Sequence, residues 1–476
     1  MADTARLILL NTAFVAVGLA ILWLAGVPGR RAWWPTIAGL APAVGLAACG
    51  LAAALSAMTG IGVGLLSTGV VVVTALGVAA VVLRGRRPGI GSLAPPTRQG
   101  LVGRAVEVVA LVLLGVLSIG VLRIYAATGL AQWDGWAMWA PKAHALYVEG
   151  DVWSPVFRDA AYLMQHQEYP VLLPSLEALS ADAIGRFDRN LIDIESAAVL
   201  LGFGWGAWGL LRLVVAPWLA AGTALGLTGS LQLIDNGAAS YADTAVACFT
   251  ALGVLCAFVW LSRGAPATLV LSAVFLAAAA STKAEGLLYA LAAIAAVLAT
   301  ARGFGRALRP AAWFAGAVLV VPAAWALVDR LNGPGAKNVD RAALTDPGTM
   351  ADAAGRIPDA ASRLLTETWD RWPLACVLIA AAVGAACLVR LWWQVAFVAL
   401  WGILAFGALV AVYYASVSPI DWVLGTSADR VVFSPVLGLA TCAPVLVGLA
   451  WERVLALSEE RAPSGPSTVR PTQPTA

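Results

Sequence analysis

The chain has 476 residues, is 61% hydrophobic and carries a formal net charge of +3, with a mean hydropathy of +0.84. That composition excludes an ordinary water-soluble domain, and nothing in the charge pattern calls for nucleic acid. Apolar runs long enough to cross a bilayer recur from end to end, so the expected fold is an all-α polytopic membrane protein.

In chain order, about thirteen spans are predicted: 6–27, 36–58, 61–83, 105–126, 194–211, 217–234, 241–261, 268–281, 286–301, 311–328, 373–389, 391–413 and 431–451. No small-residue cleavage site follows the first, which reads as a retained span. Residues 1–104 form extra N-terminal helices with a cytoplasmic loop, 105–451 the transmembrane core, and 452–476 a disordered cytoplasmic tail, rich in Pro, Ser and Thr beyond Arg461. Short loops carrying Arg30-Arg31, Arg84, Arg86, Arg87, Arg98 and Arg104, and Arg302, Arg306 and Arg309, mark the cytoplasmic side. Arg212, Arg263 and Arg390 agree, which puts the N-terminus outside and the C-terminus inside. The arginine bias, with abundant alanine and glycine, reads as that of a GC-rich bacterial genome, and the expected location is the bacterial inner membrane. All six cysteines lie in apolar segments and match neither a disulfide framework nor a zinc site.

The first large outer loop, 127–193, holds nine acids against four bases and both histidines. Its apolar patches predict short interfacial helices. It opens with Trp133-Asp134-Gly135-Trp136-Ala137-Met138-Trp139-Ala140-Pro141-Lys142-Ala143-His144. An acid at the membrane exit among tryptophans suits a carboxylate that deprotonates a hydroxyl beside stacked sugar rings. Interfacial Trp and a helix N-cap at Asp134 account for the same residues. Next come His166, Glu168 and Tyr169, before Pro170 and Pro174, two prolines expected to break any helix. His166 and Glu168 are candidates for substrate or metal binding, or simply solvated. Asp235 and Asp243 flank the next outer hairpin, and Asp243 either supplies a second carboxylate or caps its helix.

The apolar stretch 268–301 contains Lys283 and Glu285. A charge at membrane depth costs about 2.5–3.5 kcal/mol on insertion scales and usually faces a polar cavity. As one helix the stretch would run about 50 Å against a hydrocarbon core of about 30 Å, so it must turn, at 281–286, below the membrane surface. Lys283 and Glu285 read as a functional charge pair or a structural one. All three lysines, Lys142, Lys283 and Lys337, fall on the predicted outer side. Lysine is a compact point charge suited to phosphate. Arg430, before the last span, either snorkels to the interface or holds a phosphate.

The order of these features resembles the polytopic GT-C glycosyltransferases, including protein O-mannosyltransferases and lipid A aminoarabinose transferases. The resemblance covers about 105–451 and rests on D-G-W-A-M-W-A-P-K-A, E-Y-P-V-L-L-P-S-L-E-A, Y-A-D-T-A, T-K-A-E-G and S-A-D-R. It implies a GT-C-like core facing outward that moves a sugar from a polyprenyl-monophosphate donor to a lipid, glycan or protein acceptor. Asp134 then matches the first-loop acid, and Asp243, or else Asp235, the second. Lys283, Arg430 and Lys142 would hold the donor phosphate. Trp136, Trp139, His166, Glu168, Tyr169, Asp235 and Glu285 would bind substrate. The chain departs from the pattern in three ways: three spans precede the core, no large C-terminal domain follows, and the first-loop acid stands alone. The last departure removes support for a metal at that position, and no cofactor is required. The rival readings are a secondary transporter and a lipid-linked oligosaccharide ligase or polymerase.

Overall fold

The computed structural model describes residues 2–461 apart from 28–32, 85–87, 90–92, 94–98, 131, 163, 165, 334–339 and 341. Arg30, Arg31, Arg86, Arg87, Arg98, Lys337 and the tail 462–476 lie outside the described residues. The described chain is all helix in its regular elements. Four helices come first: α1 (Ala2–Leu24), α2 (Trp34–Thr59), α3 (Leu65–Val82) and α4 (Leu101–Thr128). A π-helical turn, Gly135–Trp139, then leads into α5 (Ala140–Glu149), the single turn α6 (Pro155–Arg158) and α7 (Leu172–Ile184). After these follow α8 (Ile194–Leu211), α9 (Pro217–Thr228), α10 (Leu231–Ala238), α11 (Ala242–Arg263), α12 (Pro266–Ala280), α13 (Ala284–Thr300) and α14 (Leu308–Asn332). The chain ends with α15 (Ala342–Thr345), α16 (Pro347–Ala354), α17 (Arg356–Arg371), α18 (Pro373–Leu388), α19 (Trp392–Tyr414), α20 (Ile420–Val431) and α21 (Phe433–Arg461).

Among the described residues, nine helices are long and apolar enough to span a membrane, or ten if the pair bent by 97° at Trp372 is one span. The other expected crossings fall on helices too short alone: α9, α12, α13 and α18, of 12, 15, 17 and 16 residues. The run 217–234 breaks at Gly229-Ser230 into α9 and α10. At the other end, α21 continues to Arg461, so residues 452–461 are helical where a disordered tail was predicted. Pro217, Pro266 and Pro373 each open a helix, where the missing N–H has no partner to lose.

The helix α11, buried from Ala242 to Leu261, forms the centre, packed by α8, α12, α13 and α21. Many Val and Leu side chains of α3 and α4 are exposed, the surface a lipid-facing helix presents. One loop expectation is corrected. Rather than lying at an interface, α7 buries eleven of its thirteen residues and packs against α1, α2, α5 and α8. Pro174 does not stop it. It sits in the first turn, where no i→i−4 bond is required.

Chain direction gives the bundle two ends, which differ in their short turns. One end of the bundle gathers the close of α4 and α12 and the starts of α11, α13 and α21. At the other end lie Arg212, Arg263, Arg302, Arg306 and Arg390, each in or beside a turn between helices. There Arg263 pairs with Glu452 at 2.5 Å, and Arg306 Nε donates to the Leu261 carbonyl.

Candidate functional site

Two charge groups meet at the end where α12 closes and α11, α13 and α21 begin. In the first, Arg430 Nη1 donates to Asp134 Oδ2 at 2.6 Å, with the two side chains 14% and 16% exposed. The guanidinium also lies over the Tyr241 ring, 4.2 Å from its centroid, a cation–π contact. In the second, Lys283 Nζ donates to Asp243 Oδ1 at 2.8 Å and stands 3.2 Å from Glu285 Oε1. Tyr241 and Asp243 lie two residues apart at the start of α11, so the groups adjoin, and Arg430 acts electrostatically on Asp243 too.

Local structure explains this convergence. Asp134 occupies the N-cap position of the π-helical turn, but its side chain makes no cap bond and is free to reach Arg430. Such turns widen a helix and are frequent at functional sites. Gly135 lets this turn press onto the hairpin before α11, where an added Cβ would stand 2.9 Å from Ser240 Cβ and 3.1 Å from the Ala239 carbonyl oxygen. The cap reading of Asp243 fails as well. Tyr241 holds the N-cap position, and the Asp243 carboxylate turns to Lys283 instead. The break between α12 and α13 falls at 281–283, within the expected turn, and leaves Lys283 in extended backbone. Gly286 makes that turn tight, since a Cβ there would lie 2.0 Å from the Ala279 carbonyl oxygen.

The loop before α7 joins this site. Leu172 N donates to the Ser281 carbonyl at 3.0 Å, and Met138, Trp139, Leu173, Ala242 and Tyr169 form one small apolar cluster. Tyr169 stacks on both Trp139 and His166. Burial pushes its phenol up, with the charges of Glu285, Glu168 and Asp243 adding and Lys283 opposing. His166 adopts left-handed backbone (φ 53°), and its Nδ1 stands 3.3 Å from Glu168 Oε1. Among the described residues no group of three or more His, Cys, Asp or Glu side chains is placed to hold a metal ion.

Several expected partners lie elsewhere. Lys142 is fully buried, donates to the His166 carbonyl, and lies beside the rings of Trp139 and Tyr169. Burial lowers its ammonium to about 7 against the opposing pull of Glu168. A phosphate cannot reach it without opening this seal, so it clamps the loop rather than joining Lys283 and Arg430. Trp136 and Trp139 do not line one site. Trp139 is buried, whereas Trp136 borders a separate crevice of about 570 Å³ with Trp133, His144, Glu149, Tyr162 and Met164. Asp235 is exposed on α10, outside the ion-pair cluster.

Two features went unread in the sequence. Tyr241 was legible only as part of Tyr-Ala-Asp-Thr, and nothing local marks it as the platform for a residue 189 positions away. The second is a set of buried acids, Glu177, Asp193 and Glu195, at 2%, 0% and 0% exposure. Glu195 accepts from Ser180 at 2.6 Å and from Asn11 at 3.2 Å, and among the described residues no Lys or Arg pairs with any of the three. Charges within apolar helices were the available signal. No known family, curated protein or solved structure matches this chain.

Proposed function

We propose that the chain is an inverting membrane glycosyltransferase that moves one sugar from a polyprenyl-monophosphate donor to an acceptor hydroxyl at the outer face. The observation that carries this reading is the meeting of Asp134–Arg430 with Asp243–Lys283–Glu285 from four distant stretches of chain. Cations stabilise the charge that grows on a departing phosphate, and a carboxylate beside them can take the proton of the attacking hydroxyl. Asp134 is the base, Arg430 and Lys283 receive the phosphate, and Asp243 and Glu285 set the position of Lys283. The donor lipid enters between helices, and the aromatic crevice at Trp133 and Trp136 lies beside the base for the acceptor. Arginine in the short turns of the opposite end, at Arg212, Arg263, Arg302, Arg306 and Arg390, supports an outward site in a bacterial inner membrane.

The purified protein should release free polyprenyl phosphate from a radiolabelled polyprenyl-phosphate sugar when acceptor lipid or glycan extract is present. An inert donor sinks the reading. It would favour a secondary transporter, a class for which Glu177, Asp193 and Glu195 speak directly, since buried acids without cations are what a proton- or cation-coupled carrier requires.

A further inference from the structure

As base and as phosphate ligand, Asp134 and Arg430 have tasks that they cannot perform while bonded to each other. A carboxylate oxygen held by a guanidinium N–H is not open to the hydroxyl of an acceptor. A guanidinium already holding a carboxylate has less to offer a phosphate. Arg430 is, however, incompletely used. It meets Asp134 through Nη1, its face rests on Tyr241, and its Nε is buried with no hydrogen-bond acceptor among the described residues. Guanidinium offers five N–H donors and can hold two oxygens of a phosphate side by side where a single carboxylate oxygen now sits.

We propose that Arg430 is an exchangeable anion site, at which the phosphate monoester of the donor displaces Asp134 and so frees the catalytic base. Tyr241 holds the guanidinium in place through the exchange. Asp134 Oδ2 is then released from its guanidinium partner and open to the acceptor hydroxyl. Donor binding precedes base activation, which keeps the base quiet until a leaving group is present. The identity of the anion rests on the transferase reading; the exchange itself does not require transfer.

Farnesyl phosphate, which carries no sugar, is the probe. The full-length protein in detergent would be titrated with it, and Asp134 would be followed by carbodiimide labelling and peptide mass spectrometry. Labelling needs a carboxyl group that the reagent can reach, and Asp134 held by Arg430 is shielded from it. Saturating probe should raise Asp134 labelling severalfold. In Arg430→Gln labelling should start at the raised level and stay there. Asp134→Asn, lacking the competitor, should bind the probe severalfold more tightly than wild type. Farnesol should do nothing, and inorganic phosphate that reproduces the rise would show that the headgroup suffices. Labelling that stays level or falls at saturation overturns the exchange, as does a probe that fails to bind. If Arg430→Gln does not fold, the wild-type titration and the Asp134→Asn affinity still decide the matter. A protein that exchanges without transferring sugar would retain the anion site and lose the transferase reading.

Discussion

Asp134 and Lys283 are paired differently, and the difference sets what each substitution should do. The Asp134–Arg430 pair keeps 16% and 14% of its side chains exposed, and Arg430 retains Tyr241 when the carboxylate goes. Asp134→Asn should therefore lower transfer by about 10²–10⁴-fold, the usual worth of a general base. Its thermal midpoint in detergent should stay close to wild type, and a variant with normal turnover removes the assignment. Lys283 is more enclosed and serves two acids. Lys283→Met strands both, and breaking a buried pair costs about 3–5 kcal/mol. The double variant Lys283→Met/Asp243→Asn should regain part of that loss in a melting experiment. The exposed pair of Arg186 with Asp3 is the contrast: its removal should leave the melting midpoint close to wild type. The carboxylate and ammonium groups themselves were legible in the sequence, because charge in apolar surroundings is rare. Their pairing was not, since Asp134 and Arg430 lie 296 positions apart.

At the scale of elements, the turn between α12 and α13 carries the most leverage. It was foreseeable from length alone, because one helix over 268–301 overshoots the bilayer. Gly286→Ala should force the two helices apart, at about 1–3 kcal/mol for overpacking, and should depress transfer further by shifting Lys283. Melting midpoint and turnover measured together test both effects. The helix α7 shows the opposite case. Its mixed composition read as interfacial, yet it is packed inside, where Glu177 and the neighbouring Asp193, before α8, lose contact with water. Burial pushes Asp193 up from the usual 3.8 to about 7, and pushes Glu177 up also, with Asp193 and Glu195 adding. The sign follows directly. The folded state holds a proton that the unfolded state releases, so Asp193 supports folding below about pH 4 and loses that support as pH rises to about 7. Asp193→Asn should flatten this fall and melt higher than wild type at pH 8. A variant whose melting curve keeps the wild-type slope between pH 4 and 7 would assign that slope to another group. Lys142 acts with the opposite sign. Its lowered folded value penalises folding below about pH 7 and relieves the penalty toward 10.5.

For the whole molecule, the arrangement of charge predicts topology. A cysteine placed at Glu149, beside the crevice, should react with a membrane-impermeant maleimide on intact cells. One placed at Arg302 should react only after permeabilisation, and equal labelling of both would remove the outward orientation. Composition, run length and the arginine pattern were enough to establish by themselves that the chain is helical, polytopic and charged at a few buried points. Those signals are local or cumulative along the chain. Only the tertiary structure decided that Asp134 meets Arg430, that Lys142 is sealed beneath Trp139 and Tyr169, and that the two tryptophans expected at one site face different surroundings. Such outcomes depend on which helices pack together, and packing in a bundle selects among many apolar faces of similar composition. Each partner is therefore set by geometry across hundreds of residues, which no local pattern encodes.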